Sequence, residues 1–176
     1  RGPDGRAALL PAEGCRRQLY RAVFCDGLRT ALDSCAATGG TFAVAFIDID
    51  DFKIVNDSIG HAAGDNLLQE MAVRLSIAAG PSAILSRFGG DEFTLLLENT
   101  DEAAAAATAQ RIIESLKQPI TVGDFEIYSG VSIGIALHPA HGNDISSLLQ
   151  NADAAMYHAK EQGKNTYSFF NDDLQI

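Results

Sequence analysis

Residues 87–93 read Arg-Phe-Gly-Gly-Asp-Glu-Phe, set between Ala83-Ile84-Leu85 and Thr94-Leu95-Leu96-Leu97. Apolar runs on either side of a double glycine describe a β-hairpin, with the glycines supplying positive φ at its tip. That tip carries Asp91 and Glu92, two carboxylates held out on a rigid turn. Upstream, Phe46-Ile47-Asp48-Ile49-Asp50-Asp51-Phe52 ends a second apolar stretch in acid. Two strand ends converging on carboxylates suit a divalent metal, because Mg²⁺ takes hard oxygen ligands and is commonly held by one or two carboxylates plus phosphate. The competing reading makes these acids ordinary solvated turn formers.

Outward from the hairpin, residues 42–48 form a buried strand, and Leu67, Leu68, Met71, Ala72 and Leu75 recur at helical spacing over 63–79. Strands over 83–88 and 93–98, a helix over 101–117 with Ile112, Ile113 and Leu116 inward, and a strand over 130–137 follow. The order βαββαβ is an α+β fold with a ferredoxin-like core. Added to it are a hairpin turning at Gly123-Asp124, a C-terminal helix over 144–161 and, after Gly163, an edge strand at 166–170. The first forty-one residues stand apart as a helical segment (1–41) ahead of the main domain (42–176), with helices over 12–24 and 26–37 broken at Gly27.

Composition narrows the function classes. At 176 residues the chain has the size of one domain. A net charge of −10 argues against a nucleic-acid partner, which needs a basic face. No apolar run approaches the ~20 residues of a membrane span and the N-terminus lacks a signal-peptide core, so the expected setting is the cytoplasm without direct membrane contact, in a parent protein that can be anchored elsewhere. Cys15, Cys25 and Cys35 suggest neither a zinc site nor a disulfide framework and fit a reducing compartment.

The second acidic run continues as Phe52-Lys53-Ile54-Val55-Asn56-Asp57-Ser58-Ile59-Gly60-His61-Ala62-Ala63-Gly64-Asp65. Together with the hairpin tip, Val131-Ser132-Ile133-Gly134 and Ala152-Asp153-Ala154-Ala155-Met156-Tyr157-His158-Ala159-Lys160-Glu161-Gln162-Gly163-Lys164-Asn165, it makes residues 42–170 resemble the GGDEF family. The resemblance implies a fold related to polymerase palms and class III nucleotidyl cyclases. It implies diguanylate cyclase activity, the condensation of two GTP into cyclic di-GMP and two pyrophosphates. It further implies a homodimer for turnover, Mg²⁺ or Mn²⁺ as cofactor, and an adjacent EAL or sensor domain in the parent chain.

Carried over by position, Asp48, Asp91 and the Ile49 carbonyl are implied metal ligands, with Glu92 a further ligand or an acceptor behind them. Asp91 is also the implied base toward the 3′-hydroxyl, and Lys53 stabilises the pentavalent phosphate. Amides near Asp51 and Phe52 cradle phosphates, and Lys160 and Lys164 clamp the β- and γ-phosphates. Asn56 and Asp65 are the implied guanine readers and His61 lies near the nucleotide. Read locally, Asn56 and Asp65 are equally good helix caps. Lys160 and Lys164, four apart on one helix face, are also the ordinary response to a helix C-terminus. Arg87 pairs with the acidic tip or approaches phosphate.

Two departures stand out. The family's opening Asp-x-Leu-Thr-Gly-Leu-x-Asn-Arg is matched only at Asp4 and Leu9, with Pro11 and Ala12 where Asn-Arg is usual. Gly80-Pro81-Ser82-Ala83 occupies the place of the Arg-x-x-Asp product-inhibition motif, so no inhibition through that site is expected.

Overall fold

The computed structural model describes residues 14–174, with side-chain burial over 22–173. The Asp4–Ala12 correspondence falls outside the described residues. In chain order the elements are α1 (Gly14–Thr38), β1 (Phe42–Ile49), α2 (Phe52–Ile59), α3 (His61–Ala79), β2 (Ala83–Arg87), β3 (Glu92–Leu97), α4 (Glu102–Ser115), β4 (Ile120–Val122), β5 (Phe125–Ile127), β6 (Val131–His138), α5 (Ile145–Glu161) and β7 (Thr166–Phe169).

The main sheet runs β2-β3-β1-β6-β7, antiparallel except for the parallel β6–β7 pair, and β4–β5 is a separate hairpin. The first four strands reproduce the ferredoxin-like order expected from periodicity. Every residue of β1 is buried, which accounts for its apolar run over 42–47. Its alternate residues serve two cores. Ala43, Ala45, Ile47 and Ile49 face α3 and α4, while Phe42, Val44 and Phe46 face α1 and α5 with Phe24, Leu28, Leu148, Ala152 and Met156. Among the described residues no helix is long and apolar enough to cross a membrane.

Three local expectations need correction. Helix α1 runs unbroken through Gly27, because the glycine lets the helix approach β2: a Cβ there would lie 2.9 Å from Ile84 Cδ1. Close packing has overridden glycine's poor helix propensity. Secondly, neither Gly89 nor Gly90 takes a positive φ. At Gly89 glycine serves room instead, since a Cβ there would stand 3.2 Å from Glu92 Oε1, whereas a Cβ on Gly90 would meet nothing within 4 Å. The turn is stapled by Arg87, whose Nε donates to Gly89 O (3.2 Å) and Gly90 O (3.0 Å) and whose Nη2 donates to Gly90 O (2.6 Å). Thirdly, residues 52–59 form a helix the sequence reading passed over, although Phe52, Val55 and Ile59 at i, i+3 and i+7 are the residues it packs on the core.

Candidate active site

The end of β1 and the β2–β3 turn are tied directly, Ile49 N–H donating to Asp91 O at 3.1 Å. Asp48, register partner of Glu92, lies on the sheet face that α5 covers, and Lys160 from the last turn of α5 forms an ion pair with its Oδ2. Asp48 is buried, with 6 % of the residue exposed, and its Oδ1 accepts no hydrogen bond. Burial pushes its pKa up to about 6; Lys160 pulls it down and Asp91 pushes it further up. Burial lowers the Lys160 ammonium, but the hydrogen bond and charge of Asp48 outweigh that and the net shift is upward.

Beside this pair opens a cleft of about 300 Å³ lined by Phe52, Lys53, Asn56, Asp65, Leu68, Arg87, Gly90 and Asp91. Six residues singled out from sequence thus share one cavity: Phe52, Lys53, Asn56, Asp65, Arg87 and Asp91. His61 is not among its lining residues; it bonds Asn56 instead, Nδ2 to Nδ1 at 2.9 Å. Leu68 is an apolar wall that the sequence reading did not single out, although its place on the inner stripe of α3 marked it as buried.

A second hollow of about 370 Å³ holds Asp50, Asp51, Lys164 and Asn165. Lys164 Nζ donates to Asp51 Oδ1 at 2.6 Å, which raises the pKa of this exposed lysine. Asp50 is occupied structurally, accepting from Ser132 Oγ (2.6 Å) and from Asn165 N–H (2.8 Å). Asp51 stands at the N-cap of α2 with φ 55, yet makes no side-chain cap bond, because its carboxylate goes to Lys164. The first-turn N–H groups of α2 are therefore left without that side-chain cap.

Among the described residues no three His, Cys, Asp or Glu side chains cluster as a metal centre. Asp48 and Asp91 offer two carboxylates, and the orphaned, buried Oδ1 of Asp48 is an acceptor that a hard cation would satisfy. Such a donor set fits Mg²⁺, which keeps waters and takes phosphate oxygens alongside one or two carboxylates.

A sheet of this order with acids at adjoining strand ends defines a nucleotidyl-cyclase type of domain. The family model for the diguanylate cyclase GGDEF domain matches residues 19–166, and the chain belongs to that family. It is 42 % identical over 154 residues to the bifunctional diguanylate cyclase/cyclic di-GMP phosphodiesterase MucR of Pseudomonas aeruginosa, covering 88 % of this chain and 22 % of that protein. To the cyclic di-GMP phosphodiesterase PdeR of Escherichia coli it is 39 % identical over 138 residues, 78 % of this chain and 21 % of PdeR. The chain thus spans about a fifth of these relatives. Among solved structures, the GGDEF domain of TpbB (YfiN) from Pseudomonas aeruginosa matches with a TM-score of 0.85 at 38 % identity, over 88 % of this chain and 91 % of that one.

Proposed function

We propose that this domain is a diguanylate cyclase that joins two GTP molecules into cyclic di-GMP with release of two pyrophosphates. The observation that carries the reading is the single cleft in which Asn56 and Asp65 stand beside Asp91 and Lys53. A carboxylate that accepts from guanine N1–H and the 2-amino group would leave adenine poorly paired. In this reading Asp65 takes that role and Asn56 meets the neighbouring edge of the base.

In this reading the uncapped amides at the start of α2 hold phosphate oxygens, as helix N-termini do, and Lys53, Lys160 and Lys164 offset the remaining charge. Asp91 takes the proton of the ribose 3′-hydroxyl, whose oxygen attacks the α-phosphorus of the other GTP as the bond to pyrophosphate breaks. A divalent ion held by Asp48, Asp91 and the Ile49 carbonyl, with Glu92 nearby, would stabilise charge on attacking and leaving oxygens. Each domain supplies one such cleft and the product needs two bonds, so turnover takes two copies facing each other across a two-fold axis.

A second reading has a specific observation behind it. The chain matches about a fifth of relatives that include a phosphodiesterase, which fits a GTP-binding module that regulates an attached EAL domain without cyclising.

The deciding experiment incubates the concentrated protein with Mg²⁺ and GTP beside Asp91→Ala, following cyclic di-GMP and pyrophosphate by chromatography and GTP binding by calorimetry. Product lost in the variant while GTP still binds supports the cyclase. Binding without product, even with dimerisation forced, supports the regulatory module, and no GTP binding by the wild-type chain sinks both.

A further inference from the structure

We propose that His61 and Gly64 are positioning residues that fix the side-chain amide of Asn56 and thereby set the cleft's preference for a 2-aminopurine. The inference rests on the reading that this cleft takes a guanine base.

Asn56 opens the last turn of α2, and α3 follows after Gly60 alone, with Gly60 N–H donating to Asn56 O at 2.9 Å. The side chain is then held from both ends. Its Nδ2 lies 2.9 Å from His61 Nδ1. An amide nitrogen only donates, so the imidazole accepts at Nδ1 and carries its proton on Nε2. The amide oxygen rests over the backbone of Gly64: a Cβ at that position would overlap Asn56 Oδ1 and stand 2.9 Å from Asn56 Cγ. Gly64 is buried in α3 and its φ is not positive, so the backbone makes no demand for glycine there. The residue is glycine because Asn56 occupies the volume a side chain would need.

What remains of the amide is directional. One N–H and the outer lone pair of Oδ1 are left for a ligand in the cleft that Asn56 shares with Asp65. On its sugar edge guanine presents N3, an acceptor, next to the 2-amino group, a donor, which is the complement of that N–H and C=O pair. Adenine and hypoxanthine have only a C–H where the amino group would be. Were the amide turned over, its NH₂ would face the 2-amino group, donor against donor. A free asparagine would sample both arrangements. One anchored by His61 presents the discriminating arrangement before the base arrives, and a site built to pair such a group rejects analogues that lack it.

Binding of GTP and of inosine triphosphate, which differs only by the missing 2-amino group, is measured by calorimetry on the 176-residue wild-type chain, His61→Leu and His61→Asn. His61→Leu keeps bulk without an acceptor, whereas His61→Asn places an acceptor oxygen near the position of Nδ1. The expected result is GTP affinity lowered about tenfold in His61→Leu with inosine triphosphate changed much less, so that the ratio collapses, and restored by His61→Asn. Gly64→Ala is expected to lose the same ratio, with thermal unfolding confirming that it folds. Equal losses for both nucleotides in His61→Leu, or no rescue by His61→Asn, would overturn the inference alone. A wild-type chain that ignores GTP would overturn the guanine reading and this inference together.

Discussion

Lys160 and Asp48 form an ion pair that bridges α5 and the end of β1, joining a lysine side chain 29 % exposed to an aspartate side chain 8 % exposed. The lysine thus supplies positive charge to the buried acid that, in the proposed function, would hold a metal ion. The same ammonium also lies over the ring of Tyr157, 5.4 Å from its centroid. On that reading an entering cation would displace Lys160 from Asp48.

Lys160→Met should therefore raise Mn²⁺ affinity in the absence of nucleotide by about threefold to tenfold, since the competing charge is gone and Asp48 is left unpaired. The same variant should bind GTP more weakly, because a phosphate partner is lost. Electron paramagnetic resonance of free Mn²⁺ reads the first effect and calorimetry the second. Unchanged Mn²⁺ affinity would mean that the pair does not guard the site.

The burial of Asp48 also sets a pH dependence. Its folded pKa of about 6 lies above the ordinary carboxylate value of 3.8, so the folded state holds this proton more tightly than the unfolded chain. The associated stability is fully present below 3.8 and is lost as pH rises through 6. In chelator, the wild-type thermal midpoint relative to that of Asp48→Asn should rise as pH falls from about 7.5 to about 5, because the amide has no proton to gain. Parallel curves for the two proteins would remove Asp48 from the linkage. With Mn²⁺ present the proton and the metal compete, and the acid side should show weaker metal binding.

The position of Lys160 depends in turn on Gly134. Helix α5 crosses β6 so closely that a Cβ on Gly134 would overlap Ala152 O and Met156 N and stand 2.7 Å from Ala155 C. These are backbone atoms, which cannot rotate aside. Gly134→Ala should cost about 3 kcal/mol, equivalent to a drop of roughly 6–12 °C in Tm for a domain of this size. Thermal unfolding by circular dichroism measures it. A drop under about 2 °C would show that α5 can lift from the sheet without penalty.

How far these relationships were legible in the sequence follows the range of the interactions. Strand β1, the β2–β3 hairpin, α3 and α5 carry periodicities that burial enforces, and their approximate bounds could be read from residue type alone. The residues of the cleft were found because they lie in short motifs. Gly27 and the double glycine were misread because local propensity was taken for the cause, whereas Ile84, distant in sequence, packs against α1 at Gly27, and Glu92, three residues on, crowds Gly89. No local pattern announces Arg74, which donates from α3 to Ser115 O (2.9 Å), Gln118 O (2.7 Å) and Pro119 O (3.0 Å) and so closes the C-terminus of α4. The Lys160–Asp48 pair is likewise invisible until the sheet brings its two ends together.

The segment Gly80-Pro81-Ser82-Ala83 allows a last prediction, that cyclic di-GMP does not inhibit this domain through the surface ahead of β2. Gly80 has φ 98, a conformation that costs an arginine strain, and Ala83 is 3 % exposed within the core beneath α3. The chain thus lacks the charged pair and also the backbone and space to display it. Grafting it back as G80R with A83D should destabilise the fold by about 3–5 kcal/mol, mostly by burying an unpaired carboxylate, before any gain in product affinity appears. Denaturant unfolding of the double variant, with cyclic di-GMP titrated into both proteins by calorimetry, tests this. Saturable product binding by the wild-type chain that is lost on changing Ser82 or Pro81 would show that the surface works without its usual charges.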